Sequence, residues 1–112
     1  MSDNQWLDSV VQSVNEGAEW RPKADIYKTE TGWLVKFDLA GVADNDIDIL
    51  VSGRKLMVKG CRRDLIAEQG LKVHRMEINY SCFQRTIELP HDIESSKIEH
   101  KVVDGMLHIN ID

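Results

Sequence analysis

The chain has 112 residues, room for one compact domain and at most a short appendage, since a second hydrophobic core needs on the order of 100 residues more. Hydrophobic residues at 42% and charged residues at 29% describe a folded globular chain rather than a disordered one. With a formal charge of -5, no Lys/Arg cluster, no long apolar run and no secretory leader, the expectation is a cytoplasmic protein that binds neither nucleic acid nor membrane.

In chain order, Trp6, Leu7, Val10, Val11 and Val14 recur at i, i+1, i+4, i+5 and i+8, one stripe of a helix that Ser2 or Asp3 caps and Gly17 stops. A helix this short is marginal in water and must bury its stripe against something. Residues 1–19 therefore form an N-terminal helical arm. After Trp20, Arg21 and Pro22 the period changes to two, which marks the main domain as residues 20–112. Strands are predicted at 24–29, 32–38, 46–52, 55–59, 72–78, 83–89, 96–102 and 106–111. Glu30-Thr31-Gly32, Ser52-Gly53-Arg54 and Val103-Asp104-Gly105 supply hairpin turns whose glycines suit positive φ. Short strands and evenly spaced turns predict an all-β, immunoglobulin-like antiparallel β-sandwich. The long interruption from Gly60 to about Leu71, with Arg62, Arg63, Asp64 and Glu68, is where function is expected, because loops of that length rarely persist without one.

Cys61 and Cys82 are the only cysteines. In a reducing cytosol two free thiols are expected, and a bridge makes geometric sense only if both lie on neighbouring antiparallel strands. Asp44, Asp46 and Asp48 copy the first ligand spacings of a calcium loop, but Ile49 stands where the turn glycine belongs and Lys55 at the twelfth position, so the acids are assigned to a turn and a solvent-facing strand surface. His74, His91, His100 and His108 are scattered, and neither a nucleophile elbow nor a phosphate loop is present. No enzyme, metal or cofactor is expected.

Four blocks in order carry a resemblance: PKADIYKTETGWLVKFDLAGV, DIDILVSGRKLMVKGCRR, HRMEINYSCFQRTIELP and KIEHKVVDGMLHINI. Together, from about Trp20 to Ile111, they resemble the alpha-crystallin domain of the small heat-shock proteins. The resemblance implies an ATP-independent holdase that binds unfolding client proteins through apolar surfaces. It also implies a homodimer in which the loop strand Lys72, Val73, His74, Arg75, Met76, Glu77 and Ile78 crosses to a partner, with Arg85 near the dimer contact and paired to an acidic residue. A client groove is implied between two edge strands, carrying Ile49 and Val51 on one side and Ile98, His100 and Val102 on the other, while Ile47 belongs to the core. The N-terminal stripe would add to client capture and self-assembly. A different reading is a co-chaperone-like sandwich adaptor with one defined partner; such domains lack the long loop.

The chain departs from the family pattern in several places. Ala40 replaces the usual Pro of a D-L-P-G-V turn, Ser81 stands where a glycine is common, and His100 replaces a small residue, where an imidazole either narrows the groove or is simply tolerated. Ile109 and Ile111 form an Ile-x-Ile, yet belong to the last strand rather than to a tail, so a dimer or small oligomer is expected instead of a large cage.

Overall fold

The period-two pattern becomes two antiparallel sheets, because alternate side chains of each strand fall on opposite faces and the apolar set of each sheet meets the other's. The computed structural model describes residues 20–64, 66 and 69–112. The helical arm, with Trp6, Leu7, Val10, Val11 and Val14, lies outside the described residues. The strands are β1 (Ala24–Lys28), β2 (Trp33–Asp38), β3 (Ile47–Ser52), β4 (Lys55–Cys61), β5 (Cys82–Glu88), β6 (Ile98–Val103) and β7 (Met106–Ile111), with a 3-10 turn at Asp44–Asp46 before β3. One sheet runs β1-β2-β7-β6 and the other β3-β4-β5, so β1, β6, β3 and β5 are the edges.

The core is drawn mainly from the inner strands. Val35 and Phe37 of β2, Leu56 and Val58 of β4, and Leu107 and Ile109 of β7 are fully buried, joined by Phe83 of β5 and Ile111 of β7. Each such side chain contributes roughly 1.5–3 kcal/mol on burial. Trp20 closes one end with its ring edge-on to Phe83, centroids 5.2 Å apart.

The three hairpins form as the sequence suggests, but by different means. Gly53 (φ 61°) and the pair Asp104 and Gly105 (φ 52° and 77°) supply the left-handed residues that match a tight turn to the twist of its strands. Gly32 is not left-handed. It is required because a Cβ there would overlap the Ile111 carbonyl oxygen on the neighbouring strand. Ser81 carries no left-handed cost either, since Asp104 is the only non-glycine with positive φ among the described residues.

Two further expectations are corrected. The segment Lys72 to Ile78 is not a strand in this chain: a strand needs a ladder partner, and no strand among the described residues pairs with it. Cys61 and Cys82 are not free thiols but bridged. β4 extends to Cys61 and β5 begins at Cys82, so the two face each other on the last rung of the β4–β5 ladder. That adjacency outweighs an expectation based on compartment alone.

Candidate interaction surfaces

Registry fixes which way the residues expected to line a groove point. Ile49 and Val51 sit opposite Val58 and Leu56, and Ile98, His100 and Val102 sit opposite Ile111, Ile109 and Leu107, so all five share the inner face with core residues. Because β3 and β6 are edges, this inner face is only partly covered. Ile47, Ile49, Val51, Ile98 and Val102 are half-buried and pack against the core from its open side. Ile47 is thus half-buried like Ile49 and Val51, packed against the core without being enclosed in it. His100 is exposed, and its Nε2 lies 3.7 Å from Asp44 Oδ1, a contact that ties β6 to the turn leading into β3. At the start of β6, Glu99 accepts a hydrogen bond from Lys97 at 3.1 Å and holds that amine above its ordinary range, with Asp112 adding to the effect.

The β1 edge is the barest part of the sandwich. Ala24 is half-buried and the other four residues are exposed, among them Ile26 and Tyr27 at 45% each. Between β4 and β5 the chain makes the long excursion 62–81. Leu71, Val73, Met76 and Ile78 are 51–61% exposed there, and His74, Arg75, Glu77 and Lys72 are exposed with them. The loop bends over a hollow of about 260 Å³ that Ile66, Met76 and Tyr80 help to line. Apolar side chains that stand this far out of their own chain are in the state expected of surfaces awaiting a partner.

Arg85 differs from expectation in its partner. It lies on the inner face of edge strand β5, between buried Phe83 and Ile87 and opposite Val58, so its half-buried guanidinium must be satisfied locally. Its Nη1 donates to the Pro22 carbonyl at 2.6 Å rather than to a carboxylate, because the segment before β1 passes over that edge.

The feet of the loop carry functional geometry that sequence reasoning missed. Arg62 donates from Nε and Nη2 to the Asn79 carbonyl (2.9 and 2.5 Å) and from Nη1 to the Ala40 carbonyl (3.1 Å), while its guanidinium lies 4.4 Å from the centre of the Trp20 ring. Arg63 forks onto Asp46, Nε to Oδ2 at 3.0 Å and Nη2 to Oδ1 at 3.2 Å. Asp46 is only 4% exposed, so it is a buried partner and not the solvent-facing acid expected of it. The Arg62-Arg63 pair directly after a strand was the available signal, although nothing local named the acceptors. Among the described residues no three His, Cys, Asp or Glu side chains are arranged to hold a metal ion, and no helix is long and apolar enough to cross a membrane.

With this geometry in hand, the comparisons are specific. The Hsp20/alpha crystallin family model matches residues 25–112. The chain is similar to small heat shock protein C2 of Rickettsia felis, 34% identical over 90 residues that make up 80% of this chain and 58% of that one. It is also similar to the chloroplastic small heat shock protein of Pisum sativum, 30% identical over 95 residues, 85% of this chain and 40% of that one. The chain spans about half the length of the curated relatives it matches. Among solved structures, heat shock protein 16.0 of Schizosaccharomyces pombe shares the fold with a TM-score of 0.74 at 23% identity, covering 83% of this chain and 86% of that one. A small heat-shock protein of Xylella fastidiosa aligns with a TM-score of 0.63 at 30% identity over 83% and 85% of the two chains.

Proposed function

The chain belongs to the Hsp20/alpha crystallin family, and we propose that it is an ATP-independent holdase chaperone of the cytoplasm, working as a strand-exchanged dimer or small oligomer that captures unfolding proteins on apolar surfaces. The observation that carries this reading is a complementary pair of unsatisfied features in one molecule. Strand β1 leaves one backbone edge and the side chains of Ile26 and Tyr27 open. The loop 62–81 presents Val73, Met76 and Ile78 with no strand among the described residues to pair with. Laying residues 72–78 of one subunit along β1 of another satisfies both, and reciprocal exchange closes a two-fold dimer.

Client capture then falls to the inner-face residues Ile49, Val51, Ile98, His100 and Val102, and to the stripe Trp6, Leu7, Val10, Val11 and Val14. A partly covered apolar face between two edge strands suits an extended, unfolding segment, because backbone pairing is sequence-independent and the apolar pockets ask only for hydrophobic side chains. Arg85, held at Pro22, steadies the chain just before β1 and so the edge the partner must use.

Heat-induced aggregation of an unrelated enzyme is the test. Suppression at molar excess, unchanged by ATP and weakened by deleting residues 1–19, is the expected result. An absence of protection at any ratio would sink the holdase reading, and a monomer by light scattering would favour an adaptor with one partner instead.

A further inference from the structure

We propose that the Cys61–Cys82 bridge is a redox-operated clamp on the dimerisation loop, opening and closing the hinge from which the loop is presented; this rests on the reading of 62–81 as the exchanged arm. The bridge sits where such control is most effective. Cys61 is the last residue of β4 and Cys82 the first of β5, so the bond joins the two feet of the excursion at one rung. With it closed, residues 62–81 are a covalently closed ring whose feet cannot separate, which removes conformations from every opened state of the loop.

Without the bond the feet depend on weaker ties. One further backbone hydrogen bond, Arg62 N–H to the Ser81 carbonyl at 3.0 Å, continues the ladder beyond the cysteines. The Arg62 side chain holds the returning leg through Asn79 and braces it against Ala40 and Trp20. These contacts permit the same pose but also permit fraying, since ladder ends open at far lower cost than strand centres. Both cysteines are buried, at 2% and 5% exposure. A reagent therefore reaches the sulfurs through opening of that end rung, and the redox state and the motion of the hinge are linked in both directions.

The chemistry is thiol–disulfide exchange. On oxidation by a low-molecular-weight disulfide such as oxidised glutathione, one cysteine thiolate attacks a glutathione sulfur and expels one glutathione thiolate. The second cysteine thiolate then attacks the protein sulfur of the mixed disulfide and expels the other. Two cysteine thiols lose two electrons and two protons, and one disulfide becomes two glutathione thiols. A dithiol runs the sequence backwards. Oxidised chains hold the loop in one pose and exchange partners slowly; reduced chains release the feet, exchange faster and expose Val73, Met76 and Ile78 more often.

The test is hydrogen exchange read by mass spectrometry on the full chain equilibrated with oxidised glutathione or with dithiothreitol, thiol content being titrated in parallel. Peptides covering 62–81 are expected to exchange about tenfold faster when reduced, while β2 and β7 peptides keep their rates. A Cys61→Ser/Cys82→Ser variant should exchange at the reduced rate in both buffers, and mixing labelled subunits should show the same acceleration. Equal loop protection in the two states overturns the clamp, as does a bridge that dithiothreitol opens only on global unfolding, or one that oxidised glutathione never closes. A monomer in both states would instead remove the dimer reading, and the loop exchange rates would still decide the clamp.

Discussion

Leu107 and Ile78 are aliphatic residues of nearly equal size, and the fold treats them in opposite ways. Leu107, on β7's inner face, has no exposed surface, while Ile78, in the loop, is 61% exposed. What separates them is the supply of partners, not hydrophobicity. β7 lies between β2 and β6 and over the second sheet, so its inner face is covered by its own chain. The loop departs from the end of β4 and returns at β5, an edge, and among the described residues no strand pairs with it. The inner face of β7 is thus enclosed by its own sandwich, while the loop's apolar side chains stand largely exposed.

Truncating each residue gives the sharpest contrast. Leu107→Ala should destabilise the fold by about 2–5 kcal/mol, the sum of lost transfer energy and the cavity left behind, visible as a lower denaturation midpoint at unchanged slope. Ile78→Ala should leave the stability of dilute protein within about 0.5 kcal/mol, yet shift the monomer–dimer balance towards monomer in sedimentation velocity. If Ile78→Ala proves as costly as Leu107→Ala at high dilution, the loop is packed on its own sandwich and the contrast fails.

An intermediate effect is expected at the junction between the two regions, where Asp46 is buried beneath Arg63. Arg63→Ala strips the forked guanidinium from a buried carboxylate, and a charge left in that state costs about 1–3 kcal/mol, less than for a fully enclosed pair because Arg63 is 38% exposed. Chemical denaturation of the single variant, and of Asp46→Asn with Arg63→Ala together, checks it. The double variant should recover part of the loss, since the amide needs no counter-charge.

The legibility of these regions in the sequence differs for the same reason that their stability does. Sandwich strands announce themselves locally: alternation in WLVKFD and MLHINI names both the element and its buried face, and Gly53 and Asp104-Gly105 name the turns. Registry then follows, which is why Ile49 and Val51 sit opposite Val58 and Leu56, and Ile98 and Val102 opposite Ile111 and Leu107. The loop and its feet depend on pairs distant in sequence. Reading Gly60 as a break ended β4 two residues early and so concealed the rung on which Cys61 meets Cys82. No neighbour of Arg85 signals that its acceptor is the Pro22 carbonyl, and nothing near Asp46 signals Arg63. Only Met76-Glu77-Ile78 at the end of residues 72–78 alternates like a strand, and alternation reports the faces of a strand and not the presence of a second one beside it.

The smallest effect tests the sandwich alone. Leu39-Ala40-Gly41-Val42 is a type II turn: the Val42 N–H donates to the Leu39 carbonyl at 3.0 Å, and Gly41, its third residue, has φ 83°. The second position of such a turn has φ near the value proline enforces, and no hydrogen bond is donated by the Ala40 N–H among the described residues. Its carbonyl, which Arg62 uses, is retained by proline. Ala40→Pro should therefore stabilise the fold by about 0.4–1 kcal/mol, entirely by narrowing the unfolded ensemble. In a domain of this size that raises the thermal midpoint by about 2–6 °C. Because the gain arises in the unfolded chain, it should appear equally in the oxidised and reduced protein and leave the monomer–dimer balance unchanged. A gain that depended on either would mean that the turn, through Arg62, also sets the pose of the loop.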